Sequence, residues 1–161
     1  MIIKNIKLFT MLLVAFMFNV SAHVEVVQGP FKLKGVSGVS IRYEQEADDS
    51  ISFLVTKNKI DTIVDSYEVG DGVPKIDSVF FSKLNGVDNI ITLISSDEEN
   101  VNAIHYKILT YSYSKNGIVK KNESINRDKN LEGYDGYNGS GAIFNLKDAA
   151  SIKMYLRKKH N

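Results

Sequence analysis

Between residue 23 and about residue 125, apolar and polar side chains alternate with a period of two, the repeat of a half-buried strand. The pattern predicts strands near residues 24–28, 31–34, 39–45, 50–56, 62–68, 77–84, 89–95, 103–114 and 118–124. These runs are rich in Val, Ile, Tyr, Phe and Thr, which suit a pleated surface. Asn85-Gly86 and Asn116-Gly117 interrupt the alternation where type I′ hairpin turns would place two residues at positive φ. Short links between successive strands imply an antiparallel meander. The run 103–114 changes phase: Ile104, Tyr106 and Ile108 share one face, and Leu109, Tyr111 and Tyr113 share the other. Either a bulge shifts the register or both faces are covered.

The period changes near the end of the chain. Leu146, Ala149, Ile152, Tyr155 and Leu156 recur at helical spacing, with Lys147, Ser151, Lys153 and Arg157 on the polar side. Asn145 is the expected N-cap, and Asp148 falls in the first turn. The basic run Arg157-Lys158-Lys159-His160 closes the helix, where cations complement its dipole. The expected fold class is α+β and mostly β: an antiparallel meander sheet with one C-terminal helix packed on it.

The first 22 residues follow neither pattern. Lys4 and Lys7 precede an apolar run of about 13 residues, and Val20-Ser21-Ala22 supplies small residues at its end. This is the layout of a cleaved signal peptide, and the run falls short of the ~20 residues needed to span a bilayer. The expected organisation is therefore a signal over 1–22 and a single β-rich globular domain over 23–161. The expected destination is the periplasm, with no membrane anchor after cleavage.

Export alters the charge balance. The whole chain has 161 residues, 20 Lys+Arg and 19 Asp+Glu, for a net charge of +1. Lys4 and Lys7 leave with the signal, so 139 residues remain with 18 basic and 19 acidic side chains, net −1. That balance argues against a nucleic-acid binder, which needs a basic excess to displace phosphate counterions. The chain has no cysteine, which removes disulfides, zinc–thiolate sites, a cysteine nucleophile and a lipidated cysteine.

Motifs for catalysis are missing as well. The sequence has no G-x-S-x-G, H-E-x-x-H, P-loop or Rossmann fingerprint, and neither an enzyme activity nor a cofactor is expected. Two partial metal patterns occur. Cleavage after Ala22 would leave His23 as an N-terminal copper chelator with His105 as its only internal histidine partner. Asp128-Lys129-Asn130-Leu131-Glu132-Gly133 opens like a calcium loop, but its twelfth position is Gly139 rather than glutamate. No residue is assigned to a metal on either pattern.

The most unusual composition lies in residues 131–141, LEGYDGYNGSG, with four glycines and two tyrosines. Tyrosine among Gly, Ser and Asn gives amphipathic contact area on an adaptable frame, as in antibody paratopes. Asp97, Glu98 and Glu99 form an acidic hairpin tip that would speed association with a basic partner.

An exported, cysteine-free, β-rich chain with a terminal helix and a Tyr-bearing loop resembles the small periplasmic immunity proteins. Those proteins neutralise toxins delivered by type VI and related secretion systems. The resemblance implies a protein partner and occlusion of its active site. The expected partner-binding residues are Tyr134, Asp135 and Tyr137, with Asp97, Glu98 and Glu99. The alternatives are an inhibitor of a host or envelope enzyme, of the lysozyme-inhibitor kind, and a small metal-binding carrier. Oligomeric state is not legible in the sequence.

Overall fold

A computed structural model describes residues 24–160. The signal segment and His23 lie outside the described residues. Among the described residues, nine strands form two antiparallel sheets. Sheet A has the order β1-β2-β3-β4, from Glu25–Lys32, Val39–Gln45, Ile51–Lys57 and Ile60–Tyr67. Sheet B has the order β5-β6-β7-β8, from Pro74–Leu84, Val87–Glu98, Ala103–Tyr113 and Val119–Lys121. A ninth strand, β9 (Glu132–Asp135), pairs with the first half of β7. The expected meander is thus two meanders, divided at the Gly70–Gly72 segment and stacked face to face. Among the described residues no helix is long and apolar enough to cross a membrane.

Sheet B is the middle layer. Ile90, Ile94, Leu109, Tyr111 and Tyr113 pack against Ile41, Tyr43, Ile51 and Phe53 of sheet A. The opposite face of sheet B buries Phe80, Leu84, Ile91, Leu93 and Ile108 against Ile125, Leu131, Phe144, Ile152 and Leu156. This resolves the phase change in residues 103–114. β6 and β7 pair one to one from Asp88↔Tyr113 to Glu98↔Ala103 with no bulge, and both faces are covered. Each face buries several large apolar side chains, at about 1.5–3 kcal/mol apiece.

Helix α2 (Ala149–His160) packs the expected stripe, including fully buried Ile152 and Leu156, onto sheet B. It starts later than the sequence suggests. The cap is Asp148, not Asn145: Asp148 Oδ1 accepts from the amides of Ala150 at 2.8 Å and Ser151 at 2.9 Å. A carboxylate supplies both the acceptor and a charge favourable at the helix start.

Three other expectations change. Residues 24–28 and 31–34 are not two strands but one edge strand, β1, which runs through two register shifts. Its edge position tolerates Pro30, which has no N–H to donate. Gly29 is required there: at φ +100 a Cβ would lie 2.9 Å from the Ile41 carbonyl oxygen. The Asn85-Gly86 turn has both φ values positive, at 48° and 76°, as type I′ demands. The Asn116-Gly117 turn differs, since only Gly117 has positive φ. Ser114 N donates to Ile118 O and Gly117 N to Ser114 O, the three-residue hairpin that ends in a glycine bulge.

The strand expected over 118–124 stops at Lys121, and a one-turn helix, α1 (Glu123–Asn126), follows. The side chain of Asn126 explains the break. Its Oδ1 accepts from Thr110 N at 2.9 Å, and its Nδ2 donates to Thr110 O at 3.0 Å. The amide thus occupies the β7 edge between β8 and β9 as a neighbouring strand would.

Candidate functional site

The interface between the sheets has a closed half and an open half. In the closed half, Phe53 stacks on Tyr43 with centroids 4.7 Å apart and meets Tyr111 at 4.7 Å. Three buried phenols there find partners, which offsets the cost of burying their oxygens. Tyr43 OH and Thr92 Oγ1 lie 2.6 Å apart. Tyr111 OH donates to Asp65 Oδ2 at 2.6 Å, which leaves Tyr67 OH to donate to Tyr111 OH at 2.8 Å. Burial pushes all three phenols well above their usual range, so they remain protonated. The chain of hydroxyls surfaces at Asp65, whose Oδ2 also pairs with Lys121 Nζ at 2.6 Å.

On sheet B the buried contacts with sheet A stop at Ile94 and Leu109. Beyond them the same strand faces carry Ser96 and Glu98 on β6, and Lys107 and His105 on β7. β4 ends at Tyr67, and the Gly70–Gly72 segment crosses above. A cleft of about 290 Å³ results, lined by Asp65, Tyr67, Glu68, Pro74, Ile94, Glu98, His105, Lys107, Leu109 and Lys121. Gly72 is required in its wall, because any Cβ would collide with the Asp97 backbone.

β9 extends this face. Glu132 lies opposite Lys107 and Tyr134 opposite His105. The Lys107 Nζ to Glu132 Oε2 distance is 3.3 Å. His105 sits between two carboxylates, with Nδ1 3.6 Å from Glu98 Oε1 and Nε2 3.0 Å from Glu132 Oε1. The second approach is off the line of a hydrogen bond. Tyr134 stacks on the imidazole at 4.5 Å and meets Tyr137 edge-on at 5.2 Å.

The six residues expected to bind a partner gather at this end of sheet B but do not share one surface. The first part of the Gly/Tyr segment is strand, so Tyr134 and Asp135 point to opposite faces. Tyr134 and Glu98 belong to the cleft face. Tyr137, 41% exposed, lies in a 3-10 turn beside them. Asp135 faces the helix layer and is engaged within the fold. Its Oδ1 accepts from Phe144 N at 2.5 Å, and its Oδ2 from Lys147 Nζ at 2.6 Å. Asp97 is exposed on that side and pairs with Lys75 Nζ at 2.5 Å. Glu99 is exposed in the 3-10 turn at the hairpin tip. A shallow depression of about 240 Å³ joins Asp97, Glu98, Glu99, Ile104 and Asp135.

The Asp128 segment is used internally. Its carboxylate accepts from Tyr155 OH at 2.7 Å, Lys159 Nζ at 2.9 Å and Asn130 N at 3.1 Å. Burial alone would raise this carboxyl, but those hydrogen bonds outweigh it and hold it well below the usual carboxylate range. Among the described residues no group of three or more His, Asp or Glu is arranged to hold a metal ion.

Sequence reasoning missed the cleft itself. Asp65, Glu68, Lys107 and Lys121 are ordinary strand and loop residues in the sequence, and only the stacking of two sheets brings them together. The available signal was the alternation on β7, where Lys107 and His105 follow Leu109 and Tyr111 on one face. Comparison with family models, with curated proteins and with solved structures finds no match to this chain.

Proposed function

We propose that the chain is an exported binding protein of the immunity type, which works in the periplasm by occluding a toxin's active site and performs no chemistry of its own. One observation carries this reading: a tyrosine pair, Tyr134 on β9 and Tyr137 in the turn that follows, stands beside a charged cleft. Tyr134 is fixed by β9 pairing and by its stack on His105, and Tyr137 leans edge-on against it. Aromatic side chains held in place lose little entropy on binding, and they dominate hot spots in tight complexes. The acidic tip beside them would steer a basic partner.

The test uses the adjoining open reading frame. Its product, directed to the periplasm, should arrest growth, and co-expression of this chain should restore it. Rescue should fail with Tyr134→Ala plus Tyr137→Ala although the variant accumulates in folded form. An adjoining product that is harmless, or rescue that survives both substitutions, would count against the reading.

A further inference from the structure

The cleft carries an imbalance of paired charges. Each of its lysines already has a carboxylate: Lys121 has Asp65 at 2.6 Å, and Lys107 has Glu132 at 3.3 Å. Among the described residues, two carboxylates have no lysine or arginine in return. Among the described residues, Glu68 accepts only from Ser66 Oγ at 2.9 Å. Glu98 accepts from Ser96 Oγ at 2.9 Å and otherwise faces His105 Nδ1 at 3.6 Å, with no lysine or arginine paired to it. The Glu98 side chain is only 11% exposed. A carboxylate this far from water gains strongly from a counter-charge. The rest of the lining mixes apolar side chains, Ile94, Leu109, Pro74 and the Tyr67 ring, with Ser66, Ser95 and Ser96.

Size narrows the occupant. About 290 Å³ is at the lower limit of small-molecule sites, which run from roughly 300 to 1,000 Å³. It suits one long side chain, with methylenes against the apolar lining and a charged head at the carboxylates. We infer that the cleft is a socket for a single arginine or lysine side chain of the bound protein partner, with Glu98 as its main counter-charge and Glu68 as the second. The inference rests on the reading of the chain as a protein-binding module. It adds the chemistry that the partner must present: a protruding basic residue rather than an acidic or apolar one. Tyr134 and Tyr137 would then grip the surface around that residue, since arginine and tyrosine cluster together at interface centres.

The experiment needs no partner. ¹⁵N-labelled protein is titrated with N-acetyl-arginine methylamide, with its neutral isostere N-acetyl-citrulline methylamide, and with N-acetyl-aspartate methylamide. The arginine probe should shift amides of residues 65–72, 94–98 and 105–109 saturably, and the other two should not. Glu98→Gln should weaken the arginine probe at least tenfold and Glu68→Gln by a smaller factor. Asp88→Asn, at the other end of the same strand, should change nothing. Equal response to citrulline, preference for aspartate, or shifts elsewhere on the molecule would overturn the socket. The citrulline comparison uses the unsubstituted protein and stands even where a variant folds poorly. Toxin rescue that is lost with Tyr134→Ala but untouched by Glu98→Gln would overturn the socket and leave the immunity reading intact. Arginine binding with no toxin next door would do the reverse.

Discussion

The closed and open halves of the inter-sheet face are built from the same two strands, yet they follow opposite rules. In the closed half, β6 and β7 offer Ile90, Thr92, Leu109 and Tyr111, and the hydroxyls of Tyr43, Thr92, Tyr67 and Tyr111 have internal partners. In the open half they offer Ser96, Glu98, Lys107 and His105, and the carboxylates outnumber the cations that could satisfy them. Packing rigidity in the first half supports the second. A half-buried carboxylate without a counter-ion persists only where the surrounding backbone is too well fixed to collapse around it. The packed core and the candidate binding face are thus separated along the length of single strands.

That separation can be broken most strongly at Phe53. Phe53→Ala empties the contact with Tyr43 and Tyr111 and should cost about 3–5 kcal/mol in denaturant unfolding. Any loss of probe binding should then track the unfolded fraction. Asp135→Asn attacks the backing of the open half and should cost about 1.5–3 kcal/mol, the range for hydrogen bonds to a charged group. Lys147 and the Phe144 amide hold the Asp135 carboxyl below its ordinary value, against the opposing effect of burial. Its contribution is therefore present above the unfolded-state pKa and is lost as pH falls through the depressed folded value. Stability curves for wild type and Asp135→Asn should converge on acidification, and parallel curves would show that the carboxylate does not anchor β9. Tyr111→Phe lies at the junction of the halves. Loss of its hydroxyl removes the donor to Asp65 and the acceptor of the buried Tyr67 OH and should cost about 1–3 kcal/mol in denaturant unfolding, with the Lys121–Asp65 pair retained. Tyr137→Ala should change stability by no more than about 0.5 kcal/mol, as for an exposed position, while it weakens partner binding. A larger stability effect there would mean that the tyrosine pair serves packing.

Much of the fold was legible because alternation is a local signal. The β7 phase change reported burial on both faces, and Ile152 and Leu156 reported the helix stripe. Boundaries were read less well. Asn145 and Asp148 are both acceptable caps, and only the backbone path selects Asp148. Nothing in the sequence at 118–124 says that Asn126 will substitute for a strand. The site was half legible. Composition pointed to Tyr134 and Glu98, whereas Asp135 and Asp97, one position along in their strands, face the helix layer instead of the cleft. The cleft depends on how the β4 end of one sheet packs over the other sheet, a contact that sequence periodicity cannot encode.

The patchwork on the β7 edge bears on the order in which the molecule can be completed. A ribosome, and any export channel that threads the chain from its N-terminus, delivers β7 before the segments that close it. Until then β7 presents a bare edge, the kind that recruits other strands. Val119–Lys121, the Asn126 amide and Glu132–Asp135 then seal it in turn, like successive teeth of a zip. Nascent chains halted before residue 123 would be the adhesive ones. The same last forty residues also supply Ile125, Leu131, Phe144, Ile152 and Leu156 to the core, so a stop codon among them would both bare the edge and strip one face of the sheet.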